Sequence, residues 1–182
     1  GLPDAYRILP GTAGNEGPWL ERWAREEIEC SQLNDSSHDP DSPAVDPDLS
    51  WSSLQSRPGS SRVIYLKFDG GWVDNTFWNS EHNDDERINF SASGLSGEDR
   101  IRAWAHAAED FRVFGVNVTT LKSAYDAADS DSRVLVVITP TKSWYPDAKG
   151  GVGLVGSYGS SGCVVWVWNN TWLSAGDTIS HE

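Results

Sequence analysis

The sequence predicts an α/β fold with a mixed, twisted sheet and backing helices, and three observations carry that prediction. Short β-branched and aromatic runs recur from Arg62 onward, each bounded by glycine, aspartate or proline. One long stretch between the first two runs has apolar residues at helical spacing. The runs and helical stretches then follow in an order that lets helices cover a sheet.

The chain divides near residue 56. Residues 1–56 read as an acidic leader. Within it "GPWLERWAREEIEC" places Pro18 in a first helical turn and Leu20, Trp23, Ala24 and Ile28 on one face, which predicts one short amphipathic helix. "NDSSHDPDSPAVDPD" then lacks periodicity and reads as a solvated linker. Its aspartates are oxygen donors of the kind calcium accepts, although without the spacing of a known calcium loop.

Residues 57–182 read as the folded part. "RVIYLKFDG" sets Val63, Tyr65 and Lys67 against Ile64, Leu66 and Phe68, as in a strand covered on both faces, and ends at Asp69-Gly70-Gly71. "LSGEDRIRAWAHAAEDFRVFG" predicts the strongest helix. Ser96 and Asp99 form its capping box, Ile101, Trp104, Ala105, Ala108 and Phe111 its apolar stripe, and Gly115 its end. "VNVTTL" and "RVLVVITP" are two further strands, the second closed by Pro140. "GGVGLVGSYG" and "CVVWVWNNTW" add two more, and a last helix begins near Ser174 or Asp177, with Asp177 of "AGDTISHE" an N-cap candidate, so that His181 and Glu182 fall in about its first turn.

Charge and cysteine content narrow the functions. The formal net charge is -13, of which residues 1–50, with 11 acidic and 3 basic side chains, hold -8. Such a surface repels a phosphate backbone, so no nucleic-acid partner is expected. No stretch approaches the roughly 20 apolar residues of a membrane span, so none is expected either. Acidic secreted or salt-adapted proteins fit this composition, and Gly1 opens the chain without a basic, apolar export segment, so any such segment is expected to have been removed or to lie outside this sequence. Cys30 and Cys163 are the only cysteines. They allow one disulfide or two thiols, and they exclude a cysteine-only zinc cluster.

His181-Glu182 is the first half of H-E-x-x-H, in which two histidines one helical turn apart hold zinc and the glutamate polarises its water. The dipeptide alone carries little weight. Its setting carries more: "VIYLKFDGGWVDNTFWN", "AWAHAAEDFRVFGVNVTT", "GGVGLVGSYG" and "TISHE", in that order, resemble the first half of a bacterial secreted reprolysin-like zinc metallopeptidase of the metzincin clan. The likeness runs from about residue 57 to Glu182.

The resemblance implies a twisted sheet backed by two helices, an edge strand above the cleft, and the extended motif H-E-x-x-H-x-x-G-x-x-H. His181 would be the first zinc ligand and Glu182 the general base. Gly151, Val152, Gly153, Leu154 and Val155 would form the edge that pairs with an extended protein or peptide substrate. The other two histidines, the motif glycine and the methionine turn would lie past Glu182. The C-terminal subdomain is accordingly expected to be absent and this chain to be inactive on its own. Cys30 is open to a further role as a latency thiol or to burial or a disulfide.

The rival is a non-catalytic extracellular binding domain for glycans, suggested by ten tryptophans. The peptidase reading expects Trp104 and most strand tryptophans in the core. The other histidines are expected to be solvated: His106 lies about 140° around its helix from Ile101, and His38 and His82 sit in polar stretches.

Overall fold

The computed structural model describes residues 49–145, 150–168 and 171–182. The leader helix, Cys30, His38 and the aspartate-rich linker lie outside them, apart from the leader's last residues.

The described chain is an α/β domain around a five-stranded, mostly parallel sheet. Strand β1 is Arg62–Lys67, β2 Gly71–Val73, β3 Ile88–Phe90, β4 Val116–Thr119, β5 Arg133–Ile138, β6 Gly151–Val152 and β7 Val164–Val167. Helix α1 is Phe77–His82, α2 Gly97–Asp110, α3 Lys122–Ala127 and α4 Trp172–His181. The order across the sheet is β4-β1-β5-β7-β6, with β6 antiparallel to β7 and the other neighbours parallel. β2 and β3 form a separate antiparallel hairpin.

Period two sorts the strand residues between two cores. Ile64, Leu66, Val134, Val136, Val165 and Val167 face α2 and α4, meeting Ala103, Ala107, Ala175 and Ile179. Val137, Val164 and Trp166 face the hairpin and α1, among Phe90, Trp78, Tyr145 and Trp168. Tyr65 on β1 packs on Tyr125 of α3, with ring centroids 5.4 Å apart. β1 is therefore covered on both sides, as its double alternation predicts.

α2 begins where the cap predicts: the Ser96 hydroxyl accepts from the Asp99 amide at 3.1 Å. It ends at Asp110 with Phe111 as C-cap, earlier than the expected stop at Gly115. The hairpin, α1 and α3 were not expected. Their signals are short, but a Thr76-Asn79 capping box opens α1, and the buried Asn79 amide donates to the carbonyls of Val73 at 3.2 Å and Glu86 at 2.7 Å. That one side chain ties α1 to the chain on both sides of it.

The start of α4 corrects the expectation. Thr171, not Asp177, is the N-cap, its hydroxyl accepting from the Ser174 amide at 3.3 Å. Asp177 lies inside the helix, so His181 falls ten residues past the Thr171 cap, in the third turn rather than the first. Both residues are competent caps. The earlier start prevails because it turns Ala175, Gly176 and Ile179 onto α2 and the sheet.

Candidate functional site

The end of α4 and the strand β6 meet at one place. A Cβ added to Gly153 would stand 2.8 Å from the Glu182 carbonyl oxygen and 3.3 Å from its Cβ. One added to Gly151 would stand 2.5 Å from Thr178 Cγ2, 2.7 Å from the Trp166 carbonyl oxygen and 3.2 Å from Glu182 Cγ. Gly151 and Gly153 of "GGVG" thus let the helix end lie directly on the strand. The close approach they permit in this chain is that of α4.

The proposed substrate edge is shorter than its sequence suggests. Only Gly151 and Val152 join the ladder, and among the described residues no strand adds beyond β6. Gly151, Val152 and Gly153 are buried, Leu154 is half-buried and Val155 is exposed. The chain then turns, with the Ser157 amide donating to the Leu154 carbonyl at 3.0 Å. His181 is exposed and Glu182 half-buried beside this segment.

A cavity of about 540 Å³ opens between the C-terminal ends of α2 and α4. His181, Glu182, Leu154 and Val155 share its lining with Phe114 and Cys163. The pair predicted to act on substrate and the last two residues of the segment predicted to hold it therefore face one hollow.

Two histidines depart from expectation. His106 is half-buried where α2 crosses α4, because Gly176 leaves room for it: a Cβ there would stand 2.9 Å from His106 Cβ. Its Nε2 lies 3.3 Å from Asp177 Oδ1 and its Nδ1 3.5 Å from Asp110 Oδ2. His82 closes α1 and stacks on Trp78, with Tyr145 at a centroid distance of 4.9 Å. Neither is a loop or solvated-face residue. Each has one partner four residues away on its own helix, Asp110 for His106 and Trp78 for His82, and one far along the chain, Asp177 and Tyr145, which spacing along one element does not reveal.

Cys163 lines the cavity as a free thiol, paired at 3.0 Å with the Ser157 hydroxyl. Burial pushes its pKa above the ordinary thiol range, against the smaller opposing effect of Ser157. Burial likewise raises Tyr65 and Tyr125. Each group holds its proton more tightly folded than unfolded. Their stabilising contribution is complete below the unfolded values, about 8.5 for cysteine and 10 for tyrosine, and is lost as pH rises through the folded ones. Urea midpoints are thus expected to fall above about pH 8.5, and Cys163→Ala is expected to flatten the first part of that decline.

Among the described residues no group of three histidine, cysteine, aspartate or glutamate side chains is placed to hold a metal ion. None of the described helices is long and apolar enough to cross a membrane. Comparison with protein families, curated proteins and solved structures returned no match to this chain. The site and the fold therefore stand on their own geometry: a mixed α/β domain whose antiparallel edge strand lies against the helix that carries His181 and Glu182.

Proposed function

We propose that residues 57–182 are the N-terminal part of the catalytic domain of a secreted zinc-dependent endopeptidase of the metzincin kind. In this reading Glu182 is the general base, His181 a zinc ligand, and Gly151–Val155 the segment that pairs with an extended peptide. The observation that carries it is the contact of Gly153 with Glu182 at the sheet edge. A peptide added along that edge by backbone hydrogen bonds brings its carbonyls beside the helix end, where a base is useful.

The metal is the incomplete part. Catalytic zinc takes three protein ligands and a water, and α4 brings one imidazole. By themselves the described residues do not make a zinc site. His181 fits as one donor of a larger set.

The tryptophans argue against the glycan-binding alternative. Trp78, Trp166 and Trp168 are buried, Trp104 and Trp144 half-buried, and Trp72 is the one exposed tryptophan among the described residues, stacked under the Arg87 guanidinium at 3.9 Å. A sugar platform needs exposed, coplanar rings, and the described indoles serve the core instead.

The 182-residue chain is expected to show no chelator-sensitive casein turnover. The decisive test uses the polypeptide encoded by the whole reading frame, with zinc measured by mass spectrometry beside turnover. There His181→Ala should lose both zinc and activity. Glu182→Gln should keep zinc and lose roughly 100-fold or more in rate, since an amide cannot take the water's proton. A Glu182→Gln protein with near-normal turnover would remove Glu182 from the role of base.

A further inference from the structure

Small residues let α4 lie close on α2. Ala103 and Ala107 of α2 and Ala175 of α4 are fully buried between the helices and the sheet. Gly176 admits a larger side chain of α2: a Cβ there would stand 2.9 Å from His106 Cβ, 3.0 Å from its Cγ and 3.1 Å from its Nδ1. Carbon atoms pack at about 3.5–4.0 Å, so a residue larger than glycine would lift α4 from α2.

Two polar contacts follow this crossing. The Arg102 guanidinium lies 5.7 Å from the centre of the Trp172 ring, within reach of cation–π attraction. One turn further along α2, His106 Nε2 lies 3.3 Å from Asp177 Oδ1. The contacts advance in the same direction along both helices, and the next turn of α4 carries His181. Asp177 and His181, four residues apart, share one face of the helix.

His106 is the joint between the two helices. Its Nδ1 faces Asp110 Oδ2 of α2 at 3.5 Å without hydrogen-bond geometry, so the nearer of its two carboxylates is the one on α4. An exposed ion pair usually contributes little, because two mobile side chains must be held in one geometry. Here the imidazole is half-buried in the notch at Gly176, so only Asp177 has to be ordered by the contact.

We propose that His106 is a positioning residue for the His181–Glu182 pair: seated against Gly176 and paired with Asp177, it sets the height and rotation of α4 on α2. On its other side the same helix meets β6 with no slack, since Gly153 has no room for a methyl beside the Glu182 carbonyl. A small displacement of α4 at His106 is therefore passed on to Glu182. What the pair does is taken from the peptidase reading; the coupling of His106 to it is a property of the fold. A displacement of about 1 Å at reacting groups is enough to cost a large part of a rate.

NMR on the full 182-residue chain tests the coupling with His106→Leu, His106→Gln and Asp177→Ala. Leucine keeps bulk and loses the polar partner, whereas glutamine keeps an N–H for Asp177. The Glu182 amide donates to the Thr178 carbonyl at 3.0 Å, so this turn has a hydrogen bond whose exchange can be followed. With leucine, the amides of residues 179–182 and the His181 ring resonances should shift, and those amides should exchange several-fold faster. Glutamine should restore most of both. Asp177→Ala changes an exposed side chain and leaves the core intact, so it carries the test even if the leucine variant does not fold: the same amides should again exchange several-fold faster. Parent values at residues 179–182 in a folded His106→Leu protein, or in Asp177→Ala, would overturn the proposal. Glutamine no better than leucine would overturn it too, since the pairing would then not set the helix. So would equal acceleration at residues 97–100 and in the β2–β3 hairpin, because His106 would then only hold the domain together. None of these readouts needs turnover, so an inactive polypeptide from the whole reading frame would remove the peptidase reading and leave the coupling to the resonances.

Discussion

Trp166→Ala is expected to be the most destabilising single change in the described core. The side chain is fully buried on β7, with Phe90 at 5.6 Å and Trp144 at 4.7 Å between ring centroids. Removing it leaves a cavity that rigid strands on either side cannot collapse, at a cost of about 3–5 kcal/mol. For a domain of this size that corresponds to roughly 6–20 °C in Tm. Trp166 Nε1 has no hydrogen-bond partner among the described residues, so Trp166→Phe should lose only volume and fall much closer to the parent. Thermal melts of the three proteins decide it. An alanine variant that melts within about 2 °C of the parent, well under the shift expected from such a cavity, would mean that Trp166 is not the keystone of this layer.

Gly151→Ala should uncouple the candidate base from the sheet. The new methyl would meet the Trp166 carbonyl at 2.7 Å, and that carbonyl belongs to the neighbouring strand and cannot rotate away. Either β6 or the end of α4 must shift, with an overpacking cost of about 1–3 kcal/mol. Amide resonances of residues 178–182 should move with it, because Thr178 and Glu182 are the other atoms the methyl meets. Gly115→Ala is the control: nothing stands within 4 Å of its Cβ position, so it should be neutral or slightly stabilising. If the two alanine variants share one urea midpoint and leave residues 178–182 unshifted, the strand and helix do not touch as described.

Both predictions rest on contacts between residues far apart in the chain, and the division between what was legible and what was not follows the same line. The α2 helix could be read from Ser96 and the spacing of Ile101, Ala108 and Phe111, because a cap and a 3.6-residue stripe act within a few turns. β1, β5 and β7 could be read from Val, Ile and Trp runs bounded by Gly and Pro, since strand preference is also local. The His181-Glu182 pair and the glycine segment were visible as residue types in order. Their meeting was not.

What the sequence by itself determined is therefore the α/β class, the main helix, the principal strands and the identity of the candidate pair. Tertiary structure decided the strand order, the antiparallel turn of β6, and the start of α4 at Thr171 instead of Asp177, where two equally good caps competed and packing against α2 chose. It also moved His106 and His82 from expected solvent into helix and ring contacts, and gave the glycines of "GGVG" to the end of α4. The physical reason is common to all of these. Capping, periodicity and turn chemistry are interactions along the chain, whereas register, burial and close approach are set by partners about 15 to 85 residues away, which no short window of sequence contains.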